Sequence, residues 1–471
     1  MVIGDNYFTI PAFTDLSATT IYFVAFCFLM FMLSVPFRYL IRPYVLLAAN
    51  IFFIYTFGWN NLICLFAFAV LGYIFSFIVK KYQGKKAVLL LALPFVAGLF
   101  SFKYFAQTTS IIIPLGISFY TFKILSYLFD IYEGKIKVEK NPVFYLDYVT
   151  FFPCITAGPI NRAEPFLKEL RSCREFEYSD AGSGFLLIGL GLFEKRVFCD
   201  FITSVVERSL DNPELLGYNV LFGVLMYALQ IYLDFDSYSN IAIGAARIMG
   251  FKLDRNFASP YISRNLKEFW AGWHISLTSW FRDYLYIPLG GSRKGVLRKY
   301  FNIIFIFFVS ALWHGVSLPF IVWGLGHGII RIIEDMASSI LRKIKINRYV
   351  GYLFTPILIV VNFLIVSALW VFFRSSDLTS ALAVFEKIVA GGTFSYELIG
   401  LTHNEFIWSL FIAGTMLVTD IIRKLLPIGD ILGKQVFIVR WAIYAVLIIA
   451  FLIFGMYGGS FDANDFIYRR F

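Results

Sequence analysis

The chain has 471 residues, of which 59% are hydrophobic, 20% aromatic and only 15% charged. With a mean hydropathy of +0.73, this composition excludes a soluble globule, whose surface needs polar cover and whose charged fraction is about 25%. The net charge of +10 does not point to nucleic acid, because the basic residues stand in short clusters between apolar runs, as cytoplasmic loops of a polytopic membrane protein do.

A helix that crosses a bilayer needs about 20 mostly apolar residues. The sequence predicts such spans over roughly 18–37, 43–58, 60–79, 87–106, 111–132, 183–204, 217–236, 301–316, 319–338, 350–373, 405–422 and 440–458, about 12 in all. The first has an acidic lead, Asp5 and Asp15, which does not read as a cleavable signal peptide. Loops bearing Lys80/Lys81/Lys85/Lys86, Arg293/Lys294/Arg298/Lys299, Arg342/Lys343/Lys345/Arg348 and Arg423/Lys424 are expected in the cytoplasm. The neutral or acidic segments near 1–15, 208–214 and 375–404 are expected outside, as are both termini.

Three stretches resist reading as simple spans. Residues 143–160 are apolar but short, 238–250 are short and contain glycine, and 262–291 mix charge, Trp, Gly and Pro. Non-helical backbone at membrane depth is tolerated only where protein covers it or it lines a wet cavity. These stretches are therefore expected to be re-entrant or interfacial pieces around a central cavity. No internal repeat or linker divides the chain, so one membrane-embedded domain is expected over 1–471, ending in an extracytoplasmic tail at 459–471. The five cysteines (Cys27, Cys64, Cys154, Cys173, Cys199) show no C-x-x-C spacing and suggest neither a disulfide framework nor a zinc site.

Histidine is scarce, and three of the four histidines fall close together: His274, His314 and His327. Five of the nine tryptophans lie in the same stretch: Trp270, Trp273, Trp280, Trp313 and Trp323. Two Trp-His pairs result, Trp273-His274 and Trp313-His314. Imidazole moves protons near neutral pH, and an ionisable group inside a membrane protein marks a functional site by default. The plain alternative for each is a hydrogen-bonded core histidine. No carboxylate or cysteine joins them at ligand spacing, so no metal is assigned. Arg282 and Asp283 are adjacent, and neighbours on a helix do not face each other, so each is expected to pair elsewhere. Gly290 and Gly291 follow Pro288 and read as a turn; close approach of a bound substrate to the backbone is the functional alternative.

The core stretch runs Trp270-Ala-Gly-Trp-His-Ile-Ser-Leu-Thr-Ser-Trp-Phe-Arg-Asp-Tyr-Leu-Tyr-Ile-Pro-Leu-Gly-Gly291. Leu312-Trp-His-Gly315 and Trp323-Gly-Leu-Gly-His-Gly328 follow it. Earlier come Pro114-Leu-Gly-Ile-Ser-Phe-Tyr-Thr-Phe122, Phe152-Pro153 with Ala157-Gly-Pro-Ile160, and Gln230-Ile-Tyr-Leu-Asp-Phe235 with Tyr238-Ser239. Together these pieces resemble the membrane-bound O-acyltransferase superfamily, in the bacterial branch that includes alginate O-acetyltransferases and the D-alanyl transferase of teichoic-acid modification. One departure is Asp236-Ser237, where the family commonly has a small residue and glycine; another is Asn240, where an acid is usual.

The resemblance implies an all-α fold, a ring of tilted helices around a funnel, with His314 as the active histidine and His274 at a second polar position upstream. Trp273, Trp313, Arg282, Asp283, Tyr284, Gly290 and Gly291 are candidates to line the substrate path. No resident cofactor is implied. The donor would be a cytoplasmic thioester, acetyl-coenzyme A or an acyl carrier protein. The acceptor would be a secreted or cell-wall polysaccharide, reached through an extracytoplasmic partner enzyme at the bacterial cytoplasmic membrane. The chemistry is coherent, because acyl transfer to an alcohol needs a general base, and a neutral imidazole serves.

The chain ends Phe466-Ile-Tyr-Arg-Arg-Phe471. This resembles the terminal tail of bacterial surface-acylation systems, in which the tyrosine is proposed to relay the acyl group; Tyr468 would hold that position. An interfacial aromatic anchor flanked by snorkelling arginines is the alternative. Two other functions stay open: a transporter or channel with histidine proton relays, against which the lack of a visible repeat counts, and a lipid or protein O-acyltransferase.

Overall fold

The computed structural model describes residues 41–109, 113–172, 178–341, 348–425 and 436–455. Among these residues the regular elements are all helical. The span expected at 18–37 and the tail with Tyr468 lie outside the described residues.

Six helices are long and apolar enough to cross a membrane: Trp59–Tyr82, Lys85–Ala106, Tyr218–Ile248, Val296–His314, Leu353–Arg374 and His403–Leu425. They differ in what surrounds them. In Tyr218–Ile248, 83% of the apolar window is buried, whereas in the other five the share is 22–39%. The first is a central post; the others expose large apolar side chains such as Ile63, Leu90, Val361 and Leu417, as helices facing lipid do.

We label the elements that position the site. α1 (Arg42–Tyr55), α2 (Trp59–Tyr82), α3 (Lys85–Thr108) and α4 (Ile117–Tyr132) precede a short helix, α5 (Pro142–Thr150). Asn141 starts α5 by accepting from the Val143 N–H at 2.9 Å, with Pro142 in the first turn. The stretch at 143–160 is this helix followed by a 3₁₀ turn, Phe152–Cys154. The 3₁₀ turn and the C-terminal half of α5 are buried, and Asn50 of α1 pins them: its amide donates to Asp147 at 3.3 Å and its oxygen accepts from the Phe152 N–H at 3.0 Å.

α6 (Ala163–Ser172) and α7 (Tyr178–Phe193) follow, and α7 widens into a π-helical segment, Glu194–Cys199, before α8 (Asp200–Leu210). The central helix is α9 (Tyr218–Ile248). This corrects the expectation for 238–250, which is no separate piece but the continuation of the span begun at 217. Its polar residues break the hydropathy pattern yet are buried and paired. Asp234 meets Lys195 at 2.7 Å, and Asp236 meets Arg423 at 2.6 Å. Lys195 and Arg196 also meet Asp200, at 3.2 and 3.1 Å. Asn240 donates to Glu194 at 3.1 Å, so the departures at 236 and 240 belong to one charge network with the π-helical segment. Glycine lets α7 and α9 approach: a methyl on Gly244 would stand 2.5 Å from the Gly184 oxygen.

After α9 come α10 (Leu266–Gly272), α11 (Ile275–Phe281) and a second π-helical segment, Arg282–Tyr286. α12 (Val296–His314) and α13 (Leu318–Leu341) form a hairpin, closed by close contacts at Gly324 and Gly328. α14 (Arg348–Arg374), α15 (Leu378–Val389) and α16 (His403–Leu425) follow, and the last described helix is α17 (Phe437–Phe454).

Candidate active site

His314 is the last residue of α12. Gly315 leaves the helix in an extended conformation, and its N–H still bonds the Ala311 carbonyl at 2.9 Å. No larger residue fits at 315, because a methyl there would lie 2.4 Å from the Phe320 ring. The turn therefore folds Phe320 and α13 back over His314. The imidazole is buried in an aromatic cage: ring centroids of Trp313, Trp323 and Phe373 lie 4.7, 5.1 and 5.1 Å away, all edge-on.

His274 sits at the break between α10 and α11, with φ 42° and ψ 55°. A non-glycine residue in this left-handed region stores backbone strain, which clusters at functional sites. Asn256 holds the strained turn. Its carbonyl accepts from the Ile275 N–H at 2.9 Å, and its side-chain oxygen accepts from Ser276 N–H at 3.2 Å and Ser276 Oγ at 2.8 Å. The same oxygen lies 3.2 Å from His274 Nδ1. The backbone donor at Ser276 fixes that atom as oxygen, so His274 Nδ1 must carry the proton and donate. The lone pair is then on Nε2. The Asn256 amide in turn reaches Ser239 Oγ on α9 at 3.3 Å.

Trp313 packs against both histidines. Its ring is 6.1 Å from that of His274 and 4.7 Å from that of His314. The structure thus brings His274, Trp313 and His314 together from two separate motifs. Phe122 of the 114–122 motif stacks on Trp313 at 5.5 Å and on Trp280 at 4.1 Å, which joins a third motif to the same cluster.

His327 has a different place. The Trp270 indole donates to its Nδ1 at 3.3 Å, which occupies that lone pair, and its ring stacks on Phe269 and Phe307. Its Nε2 is buried and meets no hydrogen-bond partner among the described residues. Trp273 is caged by Phe269, Phe257 and Trp370 at 5.0–5.4 Å. Tyr284 donates to Asp130 at 2.8 Å. Arg282 and Asp283 pair with each other at 2.8 Å, against the expectation that neighbours would not meet. They lie in the π-helical segment, whose wider turn departs from the α-helical spacing on which that expectation rests. Arg162 also approaches Asp283, at 3.4 Å. Gly290 and Gly291 have φ of 103° and 56° and form the expected turn, with the Gly291 carbonyl held by Asn302 at 3.0 Å.

Sequence reasoning missed two residues. Asn256 gives no signal, since an asparagine in a loop is ordinary until the fold brings His274 back to it. Lys103, whose ammonium reaches the end of α12, does give one: it is a lone lysine inside an apolar span.

The sequence model of the membrane-bound O-acyltransferase family matches residues 136–373, a range that contains both α12 and the His274 turn. The chain belongs to that family. It is 35% identical over 288 residues to the "Probable alginate O-acetylase AlgI" of Pseudomonas aeruginosa, covering 61% of this chain and 53% of the relative. It is 32% identical over 330 residues to the "Peptidoglycan O-acetyltransferase" of Helicobacter pylori, covering 64% and 61%. It is 31% identical over 245 residues to the "Teichoic acid D-alanyltransferase" of Bacillus subtilis, covering 49% and 61%. The matched region thus spans between about half and three fifths of the length of these relatives.

Proposed function

We propose that this chain is an O-acyltransferase of the bacterial cytoplasmic membrane, which passes an acyl group, most simply acetyl, from a cytoplasmic thioester towards a polysaccharide or cell-wall polymer outside. The observation that carries the reading is that His274 and His314 both pack against Trp313, within the region shared with the family. The names of the relatives, which speak of alginate, peptidoglycan and teichoic acid, support a surface polymer as the final acceptor.

In this mechanism His314 is the base. It takes the proton of the acceptor hydroxyl as the oxygen attacks the thioester carbonyl. The tetrahedral intermediate then collapses, the carbon–sulfur bond breaks, and the imidazolium returns the proton to the leaving thiolate. No net proton is consumed. His274 supports the centre through its packing on Trp313. The oxyanion needs donors aimed at it. The indole N–H groups of Trp313 and Trp323 suit this role: both flank His314, and both are buried without an acceptor among the described residues. Leaving such groups unbonded is costly unless a ligand or water completes them.

The wider arrangement we propose is a ring of about 12 tilted helices around a funnel that admits thioester from one side and acceptor from the other. Acetyl-coenzyme A or an acyl carrier protein would supply the acyl group, an extracytoplasmic enzyme would receive it, and Tyr468 would be the relay. Wild-type and His314→Ala protein at equal abundance in inverted membrane vesicles provide the test, read as acetyl-coenzyme A consumption. General-base catalysis predicts a loss of about 10²-fold or more in the variant. Consumption at the wild-type rate would refute the assignment.

A further inference from the structure

Lys103 lies in the penultimate turn of α3 and is only 3% exposed. Its ammonium does not snorkel to an interface. It donates instead to the carbonyls of Trp313, at short range, and of His314, at 3.3 Å, and stands 5.5 Å from the centre of the Trp313 ring. Among the described residues no carboxylate pairs with it. The last four carbonyls of a helix have no partner within it, and they form the negative end of the helix dipole. Lys103 therefore answers a local need, and it does so at the very residues that bear the candidate chemistry. A buried cation is expensive to maintain, and carbonyls at a helix end are otherwise satisfied by ordinary caps.

We propose that Lys103 is a positioning residue of the acyl-transfer centre. Its ammonium closes the C-terminal end of α12 and thereby fixes where the His314 imidazole lies relative to Trp313 and Trp323. α3 precedes the range 136–373 matched by the family model, so a residue N-terminal to that range supports the site within it. The inference rests on the acyl-transfer reading.

The test compares Lys103→Met, Lys103→Arg and Lys103→Gln with wild type in inverted vesicles, by titrating acetyl-coenzyme A and measuring kcat and KM per folded protein. Misplacement of a catalytic group by about 1 Å costs about 10²-fold in rate. The Met variant should lose up to about that much kcat, with KM for acetyl-coenzyme A little changed. The Arg variant, which keeps cation and donors, should recover much of the rate. Wild-type kcat in a folded Met variant overturns the proposal, as does a loss confined to KM. Where the Met variant does not accumulate, the comparison passes to Arg against Gln, and equal rates in these two overturn it. The parallel His314→Ala sample separates the two ideas: an active His314→Ala protein defeats acyl transfer by His314, whereas an inactive one beside an active Met variant defeats only the role of Lys103.

Discussion

The three clustered histidines receive distinct chemistry from their neighbours. His274 is set in one tautomer by a single asparagine oxygen that also accepts from Ser276. Asn256→Ala removes that acceptor and strands three buried donors, His274 Nδ1–H, Ser276 N–H and Ser276 Oγ–H, each costing about 1–3 kcal/mol; it should lower the thermal unfolding temperature in detergent and reduce acylation by up to about 10²-fold. His327 accepts an indole N–H at Nδ1 and stacks on Phe269, away from the Trp313 cluster. His327→Gln retains an acceptor and should keep acylation per folded protein within a few-fold of wild type, the range of a residue outside the chemistry. Abolition of activity in a folded His327→Gln protein would move that ring into the mechanism. The histidine cluster was legible in the sequence because few residue types combine scarcity, titration near neutrality and a lipid-compatible setting. The division of labour within it was not, because it depends on Asn256 and Trp270, whose approach is a property of the fold.

At the scale of elements, hydropathy located the long apolar helices but ended the central one too early, at 236. α9 is polar along its middle because it is surrounded by protein, and its charges are met there by Lys195 and Arg423. A hydropathy window cannot distinguish a paired buried aspartate from a loop aspartate. The π-helical segments at 194–199 and 282–286 were equally illegible, since one extra residue in a turn leaves no compositional trace. Removing one partner of a buried ion pair typically costs about 3–5 kcal/mol. Asp234→Ala should therefore destabilise the fold on that scale, read as a lower unfolding temperature or lower membrane abundance. An unchanged unfolding temperature would show that Asp200 alone suffices for Lys195.

For the whole molecule, the sequence pointed to an all-helical membrane protein, and the described residues bear this out with six helices long and apolar enough to cross a bilayer. The family was legible as well, because its motifs are spread along the chain and the fold gathers them: Phe122, Trp280, His274, Trp313 and His314 converge from three separate stretches. What composition could not supply is the support of that convergence by α3, where Lys103 reads as a lone charge until helix α12 ends beside it. The central claim is that one imidazole at the end of α12 is the general base of acyl transfer towards a surface polymer. The most direct measurement is hydroxylamine-releasable acyl ester on the envelope polymers of cells lacking the native gene and expressing either wild type or His314→Ala at equal membrane abundance. The account predicts ester with wild type and a loss of about 10²-fold or more with the variant; equal ester from the two would contradict it.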